Sequence, residues 1–518
     1  KRSVYLQMKK YLGISCGFHD AGVSLVDDNG DILFAGHSER YSKKKHDSEL
    51  CPEIIDEALE WVDNGDRLFV NYYERPWVKA WRQFRAGQKL GPFNFSDIFG
   101  TDIYNTLYER VTKQWGHFMH DGHIPHFVQT HPHHKCHAAA SFQTSSFDEA
   151  TIVIIDAIGE NDCATIWKGY YNKKGKAKYK KLWTLKYPNS IGLYYSAMTA
   201  RLGLRPLDEE YILMGMAAYG EPKYVKDIED KFGAHTDSLL FKENTHIGID
   251  DSFLEGADEF DIAASAQVYV EKLIKIVMSK ARQLNKSDNL VYGGGVALNC
   301  SANRFLGQYF ENIWIMPNPG DAGNSLGAAA LGYGKKLNWK NAFLGTDIVG
   351  VYPVVETVKA LKEDKIVGIA SGRAEFGPRA LGTRSLLADP RGSKIKSEVN
   401  KIKKRQQFRP FAPMILEELV DEYFEMPTHW NNSPYMQVTA PCKYPKKFPA
   451  IVHKDGTSRV QTVPNDGTGI RRLLEAWYKE TGCPILLNTS LNVRGEPMVN
   501  DRSDADRFEK LYKTRVIS

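Results

Sequence analysis

Short apolar runs broken by Gly- and Asp-containing turns open this 518-residue chain. The runs at 11–15, 23–26 and 32–36 have strand length and predict three strands. Gly17-Phe18-His19-Asp20-Ala21-Gly22 separates the first two, and Asp28-Asn29-Gly30 makes a tight hairpin before the third. The same grammar returns later. A strand at 151–155 is followed by the turn Asp156-Ala157-Ile158-Gly159, a strand at 163–170, a hairpin tip at Lys174-Gly175 and a strand at 179–187. A unit of strand, turn, strand, hairpin and strand used twice predicts an internal duplication, with two unrelated meanders as the alternative. The segment 72–130 between them is rich in Trp, Tyr, Phe and His and reads as helix and loop, either an insertion over a cleft or a packed helix pair.

Apolar residues at helical spacing predict a long helix over 260–284. A strand at 290–292 then runs into Gly293-Gly294-Gly295 and a helix-like stretch at 296–304, and 320–331 reads as a helix of small residues. Composition breaks near 333–350, where a domain boundary is placed. Beyond it the pattern is α/β: a helix at 354–363, a strand at 366–370, a Gly/Arg-rich turn and a strand at 484–487.

The length supports roughly two to four domains. A hydrophobic fraction of 42% and a charged fraction of 25% are ordinary globular values and exclude disordered and collagenous classes. The net charge of +5 is too small to indicate a nucleic-acid partner by itself. Seven scattered cysteines without a CxxC pair argue against a disulfide framework or zinc ribbon and suit reduced thiols in a cytoplasmic protein. No apolar run reaches the ~18 residues needed to span a bilayer, so no membrane contact is expected. Residues 1–7 precede the first regular segment and are set aside as a leader.

Four groups of residues carry candidate chemistry. Eight of the fifteen histidines lie between 117 and 137, and His133 and His137 are four apart at the start of an Ala-rich run. On a helix these two share one face, which suits two imidazoles on one metal or two solvated surface histidines. Asp321, at a strand-to-helix junction, offers a carboxylate as third ligand. The turns at 17–22, 156–159 and 293–295 could cradle phosphate through free backbone N–H groups, although none fits a P-loop or dinucleotide fingerprint. Arg373, Arg379, Arg384, Arg391, Lys403, Arg405 and Arg409 form either a clamp for a polyanion or a solvated basic face. Asn488-Thr489-Ser490-Leu491-Asn492-Val493-Arg494 adds polar groups just past a buried strand. Finally, six lysines between 173 and 181 make a cationic hairpin, a solvated surface or a contact for a polyanion such as DNA.

Taken together, several strings resemble one family. They include Gly17-Phe18-His19-Asp20-Ala21, Ser38-Glu39-Arg40-Tyr41 with Lys45-His46-Asp47, His133-His134-Lys135-Cys136-His137-Ala138-Ala139 and Met214-Gly215-Met216-Ala217-Ala218-Tyr219-Gly220. Gly294-Gly295-Val296-Ala297-Leu298-Asn299, Gly372-Arg373-Ala374-Glu375-Phe376-Gly377-Pro378-Arg379-Ala380-Leu381-Gly382 and Phe408-Arg409-Pro410-Phe411-Ala412-Pro413 come next in order. The chain resembles the NodU/CmcH-type O-carbamoyltransferases over nearly its whole length. The resemblance implies an α/β protein in two parts. Residues 8–345 would form a duplicated actin/Hsp70/sugar-kinase-like (ASKHA, TsaD-like) carbamoyl-transfer domain, and residues 346–518 a YrdC-like α/β domain that forms carbamoyl-adenylate.

The same resemblance implies an ATP-dependent reaction. Carbamoyl phosphate and ATP would give carbamoyl-adenylate, and its carbamoyl group would pass to an acceptor hydroxyl on a small sugar- or antibiotic-like metabolite. His133, His137 and Asp321 match the family's metal ligands, usually Fe2+, and Mg2+ would accompany ATP. Lys403 and Arg405 match its K-x-R pair, and Ser490 and Asn492 its S-x-N pair. Gly293, Gly294, Gly295, Asn299, Arg373, Arg379 and Arg494 are the further nucleotide- and phosphate-binding candidates. For the transfer step His19 is taken as the general base, Lys45 as a contact to the adenylate phosphate or carbamoyl oxygen, and Asp156 as the group orienting nucleotide or acceptor.

In one place the chain departs from the pattern. Glu210-Tyr211-Ile212 stands where the family often has Glu-Tyr-Lys, so any contact of that lysine is lost. Other acceptors stay open: a nucleic-acid hydroxyl such as a 5-hydroxymethyl-pyrimidine in DNA, reached through the 168–181 hairpin, or a tRNA threonylcarbamoyl-type reaction. A non-catalytic ATP-binding module is the remaining alternative, and the oligomeric state, a dimer included, is undecided by sequence.

Overall fold

The computed structural model describes residues 8–87, 127–235 and 238–518. The leader expected at 1–7 and most of the aromatic segment expected at 72–130 lie outside them. Within that segment the described part holds the helix Pro76–Arg85.

The first five strands are β1 (Lys9–Ser15), β2 (Gly22–Asp27), β3 (Ile32–His37), β4 (Arg67–Tyr72) and β5 (Phe127–Thr130). The next five are β6 (Glu149–Gly159), β7 (Asp162–Tyr171), β8 (Ala177–Lys186), β9 (Asn289–Gly293) and β10 (Asn312–Ile315). Among the described residues the first set lies in the order β3-β2-β1-β4-β5 and the second in the order β10-β9-β6-β7-β8. Counted from the first strand of each, these are one order. In both, the first three strands are antiparallel and the last two run parallel to the first. The internal duplication expected from the repeated hairpin grammar is thus present, in the actin/Hsp70/sugar-kinase arrangement.

The duplication extends past the fifth strand of each set. After β5 comes the helix His133–Gln143, and after β10 the turn Asp321–Gly323 and the helix Asn324–Tyr333. These two helices pack against each other with almost no side chain between them. A Cβ on Gly327 would lie 2.0 Å from the carbonyl oxygen of Cys136, and one on Gly13 of β1 only 1.8 Å from that of Ser325. The small-residue composition read at 320–331 therefore serves backbone-to-backbone approach. Each sheet keeps its own apolar core, one around Leu12, Val23 and Val70, the other around Val153, Ile166 and Val277.

Two sequence expectations shift. The turn expected at 156–159 is strand: β6 runs on to Gly159 with a register shift after Ile155, and the chain reverses at Glu160, whose φ is +58°. The helix expected at 296–304 is two short turns, Gly295–Leu298 and Cys300–Asn303, because Asn299 interrupts it and caps the second through its side chain.

The remaining strands are β11 (Phe343–Ile348), β12 (Ile366–Ala370), β13 (Gly372–Glu375), β14 (Arg384–Ala388), β15 (Ala412–Leu416), β16 (Val438–Pro441), β17 (Thr457–Val463), β18 (Ile485–Ser490) and β19 (Val516–Ile517). Seven of them form a mixed sheet in the order β16-β17-β15-β18-β14-β12-β19, while β11 pairs with β13. Alternation along β18 fills both faces: Ile485 and Leu487 enter one core, Leu486 the other. β11 thus lies where the composition breaks, between the duplicated sheets and the seven-stranded one.

Candidate functional site

The first central helix, strand β6 and the turn before the second central helix bring four side chains of metal-ligating type to one point. His133 and His137 come from the first repeat, Asp156 and Asp321 from the second. The His133 and His137 Nε2 atoms are 3.1 Å apart. Asp321 Oδ1 lies 3.3 and 3.2 Å from them, and Asp156 Oδ2 3.3 and 3.7 Å. These are the spacings of donor atoms around one ion bound at about 2.1 Å. All four residues are buried, and Asp321 Oδ1 and His133 Nδ1 have no hydrogen-bond partner. Burial opposes charge on His133, but the Asp321 and Asp156 carboxylates overcome it and raise its pKa well above the usual value. The donor set fits a divalent transition metal. Asp156, assigned from sequence to nucleotide or acceptor, stands in this cluster, where its carboxylate could serve as a fourth ligand. Its Oδ1 accepts a hydrogen bond from the Gly295 N–H at 3.1 Å and so ties the cluster to the glycine turn.

That turn does two jobs. Gly295 and Asn299 line a large cavity, whereas Gly293 and Gly294 lie outside its lining. Gly294 has φ +88° and passes so close to β6 that a Cβ would lie 2.2 Å from the Ile155 carbonyl oxygen. Its role is to let the chain turn there.

On the other side of the cluster stand His19 and Lys45. His19 Nε2 is 3.6 Å from Asp321 Oδ2 and its Nδ1 is 2.8 Å from Asp20 Oδ2. Burial disfavours its charge, yet Asp321 and Asp20 push its pKa up to about 9. A dication at the cluster would neutralise the field of Asp321, so the base role expected of His19 would require the loaded site. Lys45 Nζ meets Asp208 Oδ1 at 2.5 Å, and His46 bridges Asp20 and Asp208 at 2.7 and 2.9 Å. Sequence reasoning missed Asp20 and Asp208 in these roles. Asp20 adjoins His19 in a quoted motif, but Asp208 lies more than 160 residues from Lys45 and carries no local signal.

The arginine set divides. Arg379, Lys403, Arg405 and Arg409 line the cavity, joined by Arg459 and Arg494. Arg373 does not: its guanidinium donates to the carbonyls of Leu33, Leu344 and Gly345 and ties β3, β11 and β13 together. Arg384 is spent in the same way on the carbonyls of Thr346, Gly372 and Asn500, and Arg391 pairs with Asp389. The nucleotide role expected of Arg373 is replaced by a structural one. Lys403 donates to Ser490 and Asn492, so the K-x-R and S-x-N pairs do meet. Burial and the neighbouring Arg459 bring the Arg379 pKa down to about 9. Arg494 is paired with Glu209, but buried, mutually repelling cations such as Arg379, Arg405 and Arg409 are suited to receive an anion.

One cavity of about 590 Å³ joins the two ends, with Asp156, Asp321 and His19 at one and Arg379, Lys403 and Arg405 at the other. The lysine hairpin is elsewhere. Lys173, Lys174, Lys176, Lys178, Lys180 and Lys181 line no part of the cavity. β8 is an edge strand, where lysines prevent strand-to-strand association. Among the described residues no helix is long and apolar enough to cross a membrane.

The histidines around the cavity set a pH profile for stability. His46 is raised to about 10, against burial, by Asp20 and Asp208. Its contribution is complete below its ordinary value near 6.5 and is lost as pH rises toward 10. Buried His37 is lowered to about 3, by burial first and then by Arg40. The unfolded chain takes up that proton first, so stability falls as pH drops below about 6.5. Melting temperature should therefore peak near pH 6.5. His46→Gln should lessen the alkaline fall and His37→Gln the acid one; a profile still rising at about pH 9 would contradict the His46 assignment, and an acid limb unchanged in His37→Gln that of His37.

Comparison with known proteins identifies the family. The model of the carbamoyltransferase N-terminus matches residues 10–330, and that of the carbamoyltransferase C-terminus matches residues 358–517. An uncharacterized protein of Synechocystis sp. is 32% identical over 96% of this chain and 94% of its own length. The nodulation protein NolNO of Sinorhizobium fredii is 30% identical over 94% of this chain and 76% of its own. A solved structure, the activator of the 2-hydroxyisocaproyl-CoA dehydratase from Clostridium difficile with bound ADPNP, is 15% identical, covers 62% of this chain and 94% of its own, and has a TM-score of 0.34, too distant to add to the fold. Both family models match in order, and together they account for nearly the whole chain: this protein belongs to the carbamoyltransferase family and is a carbamoyl-transferring enzyme.

Proposed function

We propose that the chain uses ATP to activate the carbamoyl group of carbamoyl phosphate and passes it to the hydroxyl of a small sugar- or antibiotic-like acceptor. The observation that carries this reading is the single cavity with a cationic end and a metal-ligating end. A carbamoyl donor and ATP together bring several phosphate charges, which match Arg379, Lys403, Arg405, Arg409, Arg459 and Arg494.

The balance of the first half-reaction requires one water. Water cleaves carbamoyl phosphate to carbamate and phosphate, and a carbamate oxygen displaces pyrophosphate from the α-phosphorus of ATP. In the second, the acceptor oxygen attacks the carbamoyl carbon, the C–O bond to AMP breaks and AMP leaves. At the cationic end the residues hold the phosphates, with Lys403 anchoring the Ser490–Asn492 turn. At the other end His19, fixed by Asp20, takes the hydroxyl proton at Nε2, and Lys45 contacts the adenylate phosphate when Asp208 releases it. His133, His137, Asp156 and Asp321 would hold the metal, which we assign as Fe2+, and a metal there supplies Lewis-acid polarisation of the carbamoyl oxygen.

The test is pyrophosphate release from ATP by purified, metal-loaded protein, with and without carbamoyl phosphate. Release is expected only when both are present. Release from ATP alone at the same rate, or none with both substrates and every acceptor class tried, sugars and hydroxymethylated DNA included, would overturn the reading.

A further inference from the structure

We infer that Arg40, in the first half of the chain, is a positioning residue for Arg379 in the second, acting together with Glu375 on the turn that carries Arg379. The inference rests on the proposed anion site but concerns how it is built.

Glu375 ends β13 and is 1% exposed. Its Oε1 accepts three backbone N–H groups, from Leu381 at 2.8 Å, Thr383 at 3.0 Å and Arg384 at 3.2 Å. The segment from 376 to 384 is therefore folded around one carboxylate oxygen. Without it three buried donors would be left unpaired. Arg40 holds the opposite end of that turn: its Nη2 donates to the Gly377 carbonyl at 2.9 Å. Arg40 is itself 3% exposed and lies on the short helix Glu39–Ser42, more than 330 residues away in sequence. Burying a guanidinium for one carbonyl is costly unless its charge is also met. The Glu375 charge meets it, as the strongest influence favouring the Arg40 cation.

Arg379 sits between the two anchors, two residues after Gly377 and two before Leu381. Among the described residues its own side chain makes one long hydrogen bond, 3.4 Å to the Leu298 carbonyl. It is also crowded by like charge from Arg459 and Arg409. A guanidinium so placed does not choose its position; the backbone turn chooses it. Gln461 and Asn488 fix the Leu381 and Ala380 carbonyls from the second half. Arg40 adds the anchor from the first half, so the anion site of one half is set by a side chain of the other.

The test is a double-mutant cycle on binding of inorganic pyrophosphate, measured by titration calorimetry on the full chain. Arg40→Ala should weaken pyrophosphate binding about tenfold, and Arg40→Lys should restore part of that loss. In an Arg379→Ala background Arg40→Ala should have little further effect, because the group it positions is gone. Glu375→Gln should show the same non-additivity and serves if Arg40→Ala does not fold. Equal losses in both backgrounds, or no loss in the native background, would overturn the inference while leaving the anion site intact. Native protein that binds no pyrophosphate, with Arg379→Ala indistinguishable from it, would instead remove the anion-site reading and the inference with it.

Discussion

Replacing His133 with alanine is expected to lower metal affinity by at least about a hundredfold and to abolish measurable carbamoyl transfer. The Nε2 atom of His133 lies within 3.3 Å of the three other donor atoms. Its loss leaves one imidazole to balance two buried carboxylates. An uncompensated buried carboxylate is expensive, so Asp156 or Asp321 must turn away or take up a proton. Either response reaches beyond the cluster, since Asp156 also holds the Gly295 N–H and Asp321 faces His19. The cationic end is built from other elements, so carbamoyl-phosphate-dependent pyrophosphate release should fall much less than transfer does. Metal content after dialysis and the two half-reactions, measured side by side, check this. Full metal occupancy with full transfer in the variant would remove the metal assignment.

Much of the fold was legible because the signals are local. The hairpin at Asp28-Asn29-Gly30, the alternation of apolar positions and the repeated strand grammar are properties of adjacent residues, and they predicted the duplication. The pairing of His133 with His137 was legible for the same reason, as a helical spacing. Asp156 was expected in a turn and stands in a strand: the register shift in β6 carries the strand past it, and its carboxylate lies toward the histidines. The arginine set shows the limit most clearly. Arg373 and Arg379 are six residues apart in one Gly-rich string, yet one is bound by backbone carbonyls across three strands and the other faces the cavity. Nothing in spacing or composition separates them; the direction in which β13 and its adjoining turn point does. Asp208 and Arg459 reach the site from distant segments and were invisible to any local pattern, whereas Arg494 was legible in the polar string that follows a buried strand.

Lys403→Met is expected to reduce pyrophosphate release by a factor on the order of 10² and to remove a proton uptake that accompanies anion binding. The Lys403 amine is buried and donates to the Ser490 hydroxyl at 3.0 Å and the Asn492 side-chain oxygen at 2.8 Å. Burial, then Arg405 and Arg409, hold its pKa well below the usual lysine value. The ammonium form is thus disfavoured relative to that of an exposed lysine. A phosphate-bearing ligand reverses the field of the two arginines, which favours the ammonium form and draws in a proton. Calorimetric titration with pyrophosphate in buffers of different ionisation enthalpy reads that proton directly. The apparent heat should vary with buffer for the native protein and lose most of that variation in Lys403→Met. Lys403→Arg should not substitute, since a planar guanidinium replaces a compact point charge in a site closed by Ser490 and Asn492. Buffer dependence unchanged in Lys403→Met would place the proton on another group, and release at the native rate would remove Lys403 from the phosphate site.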